Sequence, residues 1–359
     1  MLQVHAAAPP SIPDSRSKIF EGVDRMLSWI LPSSYLTYPL EEPLKEIHYQ
    51  ISVPELENFA LNHGYFSPSR PLIGIVTNKE EDVVLVTDLL KTIYEKIKEP
   101  ESLLFVTAEI LTKALAYREL KEGREIAIPV LDPQGKAYLA VYVVDKVFNL
   151  WHGMPAFGLI PKAKGSAAPI LLFRGTDFSL SSPKSWASIL TDLDMRGVGL
   201  TAYNNARSLF HYWLIKATSF GAKARLMGYS LGGTLAQYTL LYEEEFISAT
   251  REDLSFVFNC AGLNDEMVKE WDEHEEKIVF AQYLTQGDFV AVTGPLIGEP
   301  YAFTPVPALK PIAAHVELLS AHPNLSLFRV EPNRKRILET AFHQNPSSDF
   351  KLKLPAPRR

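Results

Sequence analysis

The chain reads as an α/β protein with a mostly parallel central sheet covered by helices on both faces, and three observations predict it. Over residues 169–284 short apolar strands alternate with helical segments, the rhythm that builds a parallel sheet. Near Gly123 the apolar spacing changes from helical to alternating, as it does where helices give way to strands. Between a buried strand and a helix stands Gly228-Tyr229-Ser230-Leu231-Gly232, followed at once by Gly233, the pattern of a nucleophile elbow.

Taken in order, the first fifteen residues are rich in proline, alanine and serine and predict an arm that is flexible or orders on contact. Over 18–31, Ile19, Phe20, Val23, Met26, Leu27 and Ile30 fall at helical spacing opposite Lys18, Glu21, Asp24 and Arg25, and Pro32 ends the pattern. Its polar face lacks the Lys and Arg enrichment of a membrane-surface helix, so docking on the core is expected. Further helical patterns occupy 53–63, 80–98 and 101–120. A β-hairpin follows: Ile126, Ile128 and Val130 alternate before the turn Asp132-Pro133-Gln134-Gly135, and Tyr138, Ala140, Tyr142 and Val144 alternate after it. An extended segment at 156–161 precedes the strand 169–173, which runs into Arg174-Gly175-Thr176-Asp177. Helix 202–217, strand 224–227, helix 231–242, strand 254–259, helix 265–277 and strand 278–284 complete the alternation. Residues 314–321 and 325–331 both read as extended, joined at the turn His322-Pro323-Asn324.

Composition bounds the rest. A chain of 359 residues allows an extra region beside a single large core, and the boundary falls between an arm and helical region at 1–122 and the α/β part at 123–359. Apolar content of 47% and charged content of 22% are ordinary globular values. A net charge of −6 gives no general attraction for nucleic acid. Cys260 stands alone, which excludes an intramolecular disulfide and suits a reducing compartment or an exported protein that needs no bridges. The first residues show neither a basic nor an apolar leader region, so the expected location is cytoplasmic, or exported by a route without a standard signal peptide.

Serine is a poor nucleophile alone and needs a base and a group that orients the base. Elbow enzymes place them in the chain order serine, acid, histidine. Asp288 leaves a strand end within Thr285-Gln286-Gly287-Asp288 and is the expected acid; its other reading is a turn aspartate. Asp265 is the alternative acid, and it reads equally as the cap of the following helix. Chain order removes His5, His48, His63, His152 and His211 as bases, and His274 precedes the acid on an acidic helix. His343, near the chain end where a last loop can fold over the sheet edge, is the favoured base. His315, at the start of an expected strand, and His322, at an expected hairpin tip, are the alternatives. A tetrahedral oxyanion needs two donors. The Leu231 N–H supplies one, and Thr176, after a glycine that permits the turn, supplies the other.

ILLFRGTD at 170–177, the region of Trp186 and Asp192, LMGYSLGG at 226–233, FVFNCAG at 256–262 and QYLTQGDFV at 282–290 resemble the successive landmarks of the class 3 (fungal-type) lipases. The resemblance spans roughly 138–343. It implies an α/β-hydrolase fold, Ser230 as nucleophile, Asp288 as acid, Thr176 with Leu231 as the oxyanion hole, and a base near the chain end, the place of His343. It also implies a mobile cover, for which 177–191 stands in the matching place, with Phe178, Leu180, Trp186 and Ile189 as an apolar underside or as core. The expected substrate is a small-molecule or lipid ester, met with transient membrane-surface contact, and no metal or organic cofactor is called for. Three departures stand out: Tyr229 replaces the histidine usual before the nucleophile, no family signature surrounds His343, and 1–122 has no counterpart.

Other chemistries fare worse. Gly197-Val198-Gly199-Leu200-Thr201-Ala202 matches a dinucleotide fingerprint in form, without the preceding strand or the following acidic residue. No HExxH, cysteine pair or phosphate-binding GK loop is present. The rival of a different class is a catalytically inactive hydrolase fold that serves as an interaction module or exported effector through its N-terminal helices.

Overall fold

A computed structural model of the chain describes residues 21, 22, 24, 25, 27, 46–67, 69–150, 155–178, 197–274, 278 and 280–330. Among the described residues ten strands form one sheet: β1 (Glu46–Gln50), β2 (Glu125–Leu131), β3 (Ala137–Asn149), β4 (Pro155–Pro161), β5 (Ile170–Phe173), β6 (Arg225–Tyr229), β7 (Ser255–Phe258), β8 (Phe280–Thr285), β9 (Glu299–Phe303) and β10 (Asn324–Arg329). Their spatial order is β1-β10-β9-β8-β7-β6-β5-β4-β3-β2. The run from β5 to β9 is parallel, and both flanks are antiparallel. With its elbow at the end of β6, this mixed sheet is an α/β-hydrolase fold.

The helices are α1 (Pro54–His63), α2 (Glu80–Lys96), α3 (Pro100–Lys113), α4 (Leu200–Thr218), α5 (Leu231–Glu243), α6 (Asp265–Glu273) and α7 (Pro311–Val316). Because side chains alternate along a strand, each central strand feeds two cores. Ile170, Leu172, Met227, Tyr229, Phe256 and Phe258 point into a core shared with α2 and α3. Leu171, Phe173, Leu226 and Val257 point into the opposite core, shared with α4, α5 and α6. Helix α3 is buried along almost its whole length, so it forms the inner layer of one face. Pro100 opens it and the Glu99 side chain accepts the Glu101 and Ser102 N–H groups, which caps its free donors. Phe105 then stacks on Tyr49 at 4.7 Å and meets Tyr283 edge-on at 4.8 Å, tying the helix to β1 and β8.

The N-terminal helical extension is therefore built into the fold: β1 is an edge strand of the common sheet, and residues before and after 122 share one core. Of the expected helix at 18–31, residues 21, 22, 24, 25 and 27 are described and helical, with Leu27 buried; the rest lies outside the described residues. The hairpin, strands β4 to β8 and helices α1, α2, α4, α5 and α6 stand where the periodicity puts them, within a few residues, whereas α3 ends at Lys113 and a 3-10 turn at 115–117 takes up part of the expected helix 101–120.

The C-terminal quarter differs. Residues 311–316 are helical and 319–321 form a 3-10 turn, in place of the expected strand over 314–321. Pro311 presets the first helical turn and Ala313 and Ala314 continue it, which outweighs the local alternation. Strand β10 does not pair back on that segment. It lies between β9 and β1, so His322 is not a hairpin tip.

Candidate active site

Ser230 stands between β6 and α5 with φ 55° and ψ −132°, a conformation that costs a non-glycine residue about 1–3 kcal/mol. Its surroundings hold it there: Ser230 N–H donates to the Phe258 carbonyl at 3.0 Å, and the Ser230 carbonyl accepts from Gly233 N–H at 2.9 Å. The turn is this sharp only because glycine flanks it. A Cβ at Gly228 would lie 2.3 Å from the Gly232 carbonyl oxygen, and one at Gly232 would lie 2.6 Å from the Phe173 carbonyl oxygen. Strand, helix and neighbouring strand thus meet backbone to backbone.

Three side chains converge beyond the carboxyl ends of β6 and β8. The Ser230 Oγ lies 3.0 Å from His315 Nε2, and His315 Nδ1 lies 2.9 and 3.0 Å from the two carboxylate oxygens of Asp288. A carboxylate can only accept, so Nδ1 carries the hydrogen and Nε2 is left to accept from the serine hydroxyl. Asp288 Oδ1 also accepts the Val290 N–H at 2.8 Å, which fixes its plane. Both Asp288 and His315 are fully buried, and Ser230 is 5% exposed. The imidazole sits among the rings of Tyr229 at 5.1 Å, Phe289 at 5.5 Å and Phe178 at 5.8 Å.

The histidine beside Ser230 is therefore His315, one of the two alternatives; the favoured His343 lies outside the described residues. His322 is half-buried against the Phe303 ring at 4.7 Å and does not reach Ser230. Asp265 is exposed at the first position of α6, and the cap there is Asn264, which accepts the Met267 N–H at 2.8 Å. Neither takes part in the cluster.

The Leu231 N–H is the first of α5 and has no acceptor within the helix. The loop after β5 passes directly beside it. A Cβ at Gly175 would lie 2.6 Å from the Tyr229 carbonyl oxygen and 3.1 Å from Ser230 Cβ, which puts Thr176 next to the elbow. The loop is pinned on its far side, where Val76 N–H donates to Asp177 Oδ1 at 3.1 Å and Phe178 N–H to the Gly74 carbonyl at 3.1 Å. Of the expected cover at 177–191, only Asp177 and Phe178 are among the described residues; Leu180, Trp186 and Ile189 lie outside them.

Two residues near the cluster had no role in the sequence reading. Asn259 follows β7 with φ 46°, a left-handed conformation that asparagine tolerates. Its Nδ2 donates to the Ala314 and His315 carbonyls at 3.0 and 2.9 Å, and its Oδ1 accepts the Thr285 N–H at 3.0 Å. Tyr229 donates its hydroxyl to the His315 carbonyl at 3.0 Å, and burial pushes that hydroxyl well above its ordinary pKa, so it remains a donor. The signal for Asn259 was present, as a lone polar residue closing the apolar run before Cys260.

Among the described residues no group of three or more His, Cys, Asp or Glu could hold a metal ion. No protein-family model matches the chain, and no curated protein does. Solved structures similar to it include fungal lipases. A Rhizomucor miehei lipase in complex with its propeptide is 14% identical with a TM-score of 0.40, covering 86% of each chain. A structure described as a fungal lipase is 16% identical with a TM-score of 0.40, covering 71% of this chain and 88% of its own. The Rhizomucor miehei triacylglyceride lipase is 15% identical with a TM-score of 0.35, covering 53% of this chain and 71% of its own.

Proposed function

We propose that the protein is a serine hydrolase of carboxylic esters, with lipid acyl esters as its substrate class. The observation that carries this is the continuous line of hydrogen bonds from Ser230 through His315 to Asp288, with the serine held on a strained turn. Ser230 Oγ attacks the ester carbonyl while His315 Nε2 takes its proton, and Asp288 holds the imidazole and stabilises its charge. The carbonyl oxygen, now negative, is met by the Leu231 N–H and by Thr176. Collapse expels the alcohol, which receives the proton from His315 and leaves an acyl group on Ser230. Water activated by the same histidine then releases the acid, so both steps run on the chain's own groups.

The lipid reading is supported by the apolar rings around the imidazole and by the resemblance of the sequence landmarks to lipases. An inactive interaction module is disfavoured, since nothing would maintain a strained serine facing a fully bonded imidazole. A chain-length series of p-nitrophenyl esters tests the reading. Turnover that rises from acetate to medium or long acyl chains and vanishes in Ser230→Ala is expected. Absence of turnover on every chain length by folded protein would refute it.

A further inference from the structure

Beneath the sheet, helix α3 carries a fully buried ion pair that the reaction does not use. Glu109 and Lys113 are both 0% exposed, and Lys113 Nζ donates to Glu109 Oε1 at 2.7 Å. A buried pair of this kind gives little net stability over apolar residues of the same size, so its presence calls for another account. Among the described residues, the other side-chain hydrogen bonds of the pair go to the segment just after His315. Lys113 Nζ donates to the Glu317 carbonyl at 2.6 Å, Glu109 Oε1 accepts the Leu319 N–H at 2.7 Å, and Glu109 Oε2 accepts the Ser320 N–H at 2.8 Å. The ammonium also lies 5.4 Å from the centre of the Tyr229 ring, the residue that precedes Ser230 and bonds the His315 carbonyl.

That segment needs such a hold. His315 sits on α7, six residues long, and so short a helix does not fix its own place. Asn259 and Tyr229 grip its end at the His315 carbonyl, and the α3 pair grips Glu317, Leu319 and Ser320 beyond it. We propose that Glu109 and Lys113 are positioning residues for the base: through residues 317–320 they set the imidazole at hydrogen-bond distance from Ser230. This rests on the hydrolase reading above, and it assigns a role in the reaction to the N-terminal region, which has no counterpart in the lipase landmarks.

The test separates position from stability by removing both charges together in the full chain. Replacing both members of a buried pair by apolar residues preserves packing, whereas breaking one leaves a buried charge alone. Glu109→Met with Lys113→Met should fold but melt below wild type, because the Leu319 and Ser320 N–H groups and the Glu317 carbonyl lose their partners. Its kcat on p-nitrophenyl butyrate should fall about 10- to 100-fold with KM within about twofold, since a displacement of order 1 Å at the reacting groups has that effect. Amide exchange followed by mass spectrometry should quicken at 311–320 and nowhere else. Wild-type kcat in the folded double variant, or unchanged exchange at 311–320, would overturn the proposal. If the double variant does not fold, Glu109→Gln with Lys113→Met, which leaves no buried charge and keeps one acceptor for the 319–320 N–H groups, is read by the same two measurements. Should wild type itself show no turnover, the hydrolase reading fails, and the exchange measurement alone decides whether the pair positions this segment.

Discussion

His315 is held from three directions: its Nδ1 by Asp288, its carbonyl by Tyr229 and Asn259, and its ring among apolar rings. Only Nε2 remains for chemistry, and it faces Ser230. His315→Ala should therefore lower kcat on the order of 10⁶-fold, as Ser230→Ala should, because members of such a unit act together. His343→Ala should leave it unchanged. Asp288→Asn should cost about 10⁴-fold with the fold intact, because the imidazole loses the group that selects its tautomer. Steady-state kinetics on a soluble ester checks all four variants. Ser230 and Asp288 were legible because each lies within a few residues of a strand end. The base was not, because nothing in Ala313-Ala314-His315-Val316 marks a histidine that reaches a serine 85 residues earlier. His322 has a different consequence. Burial pushes its pKa below the ordinary 6.5, so just under that value the unfolded chain binds more protons than the folded one. Stability from this residue thus rises with pH and is lost as pH falls through the window. His322→Gln should flatten the slope of urea midpoint against pH between about pH 5 and 7; an unchanged slope would rule this out.

Among elements, the turn from β6 into α5 is the least tolerant. The Cβ of Gly228→Ala would press on the Gly232 backbone, which cannot rotate away as a side chain would. We expect a loss of roughly 1–3 kcal/mol in stability, measured by denaturant unfolding, with a lowered kcat because the elbow must shift. The strands before and after this turn were readable as continuous apolar runs bounded by glycine or polar turns, since both their faces are buried. Two kinds of element escaped that reading. Strand β9 contains Pro300 and is only five residues long, and β1 stands apart from the main alternation and pairs with the last strand of the sheet. Pairings of such sequence separation leave no local trace. Helix α7 was misread because one helical turn and one short strand cannot be told apart by periodicity.

At the scale of the whole molecule, the sheet lies between two helical layers, and one of them is contributed by residues before 122. The alternating strands predicted helices on both faces, but not that α2 and α3 would supply one of them, since packing against a sheet that follows in sequence is a tertiary choice. Cys260 lies fully buried in the other layer beside Gln237 and Gln282, and burial pushes its thiol far above the ordinary value. The native protein should resist a disulfide reagent at pH 8 and react with one equivalent after denaturation; rapid native reaction would mean that this layer is open. The cluster draws on distant parts of the chain, since α3 bonds the segment just after His315 and β6 leads into Ser230. Treatment of the full-length protein with a fluorophosphonate, followed by peptide mass mapping, tests this arrangement most directly. A single adduct on Ser230, abolished in His315→Ala and retained in His343→Ala, is predicted. An unlabelled Ser230 in folded wild type, or labelling of His315→Ala at the wild-type rate, would contradict it.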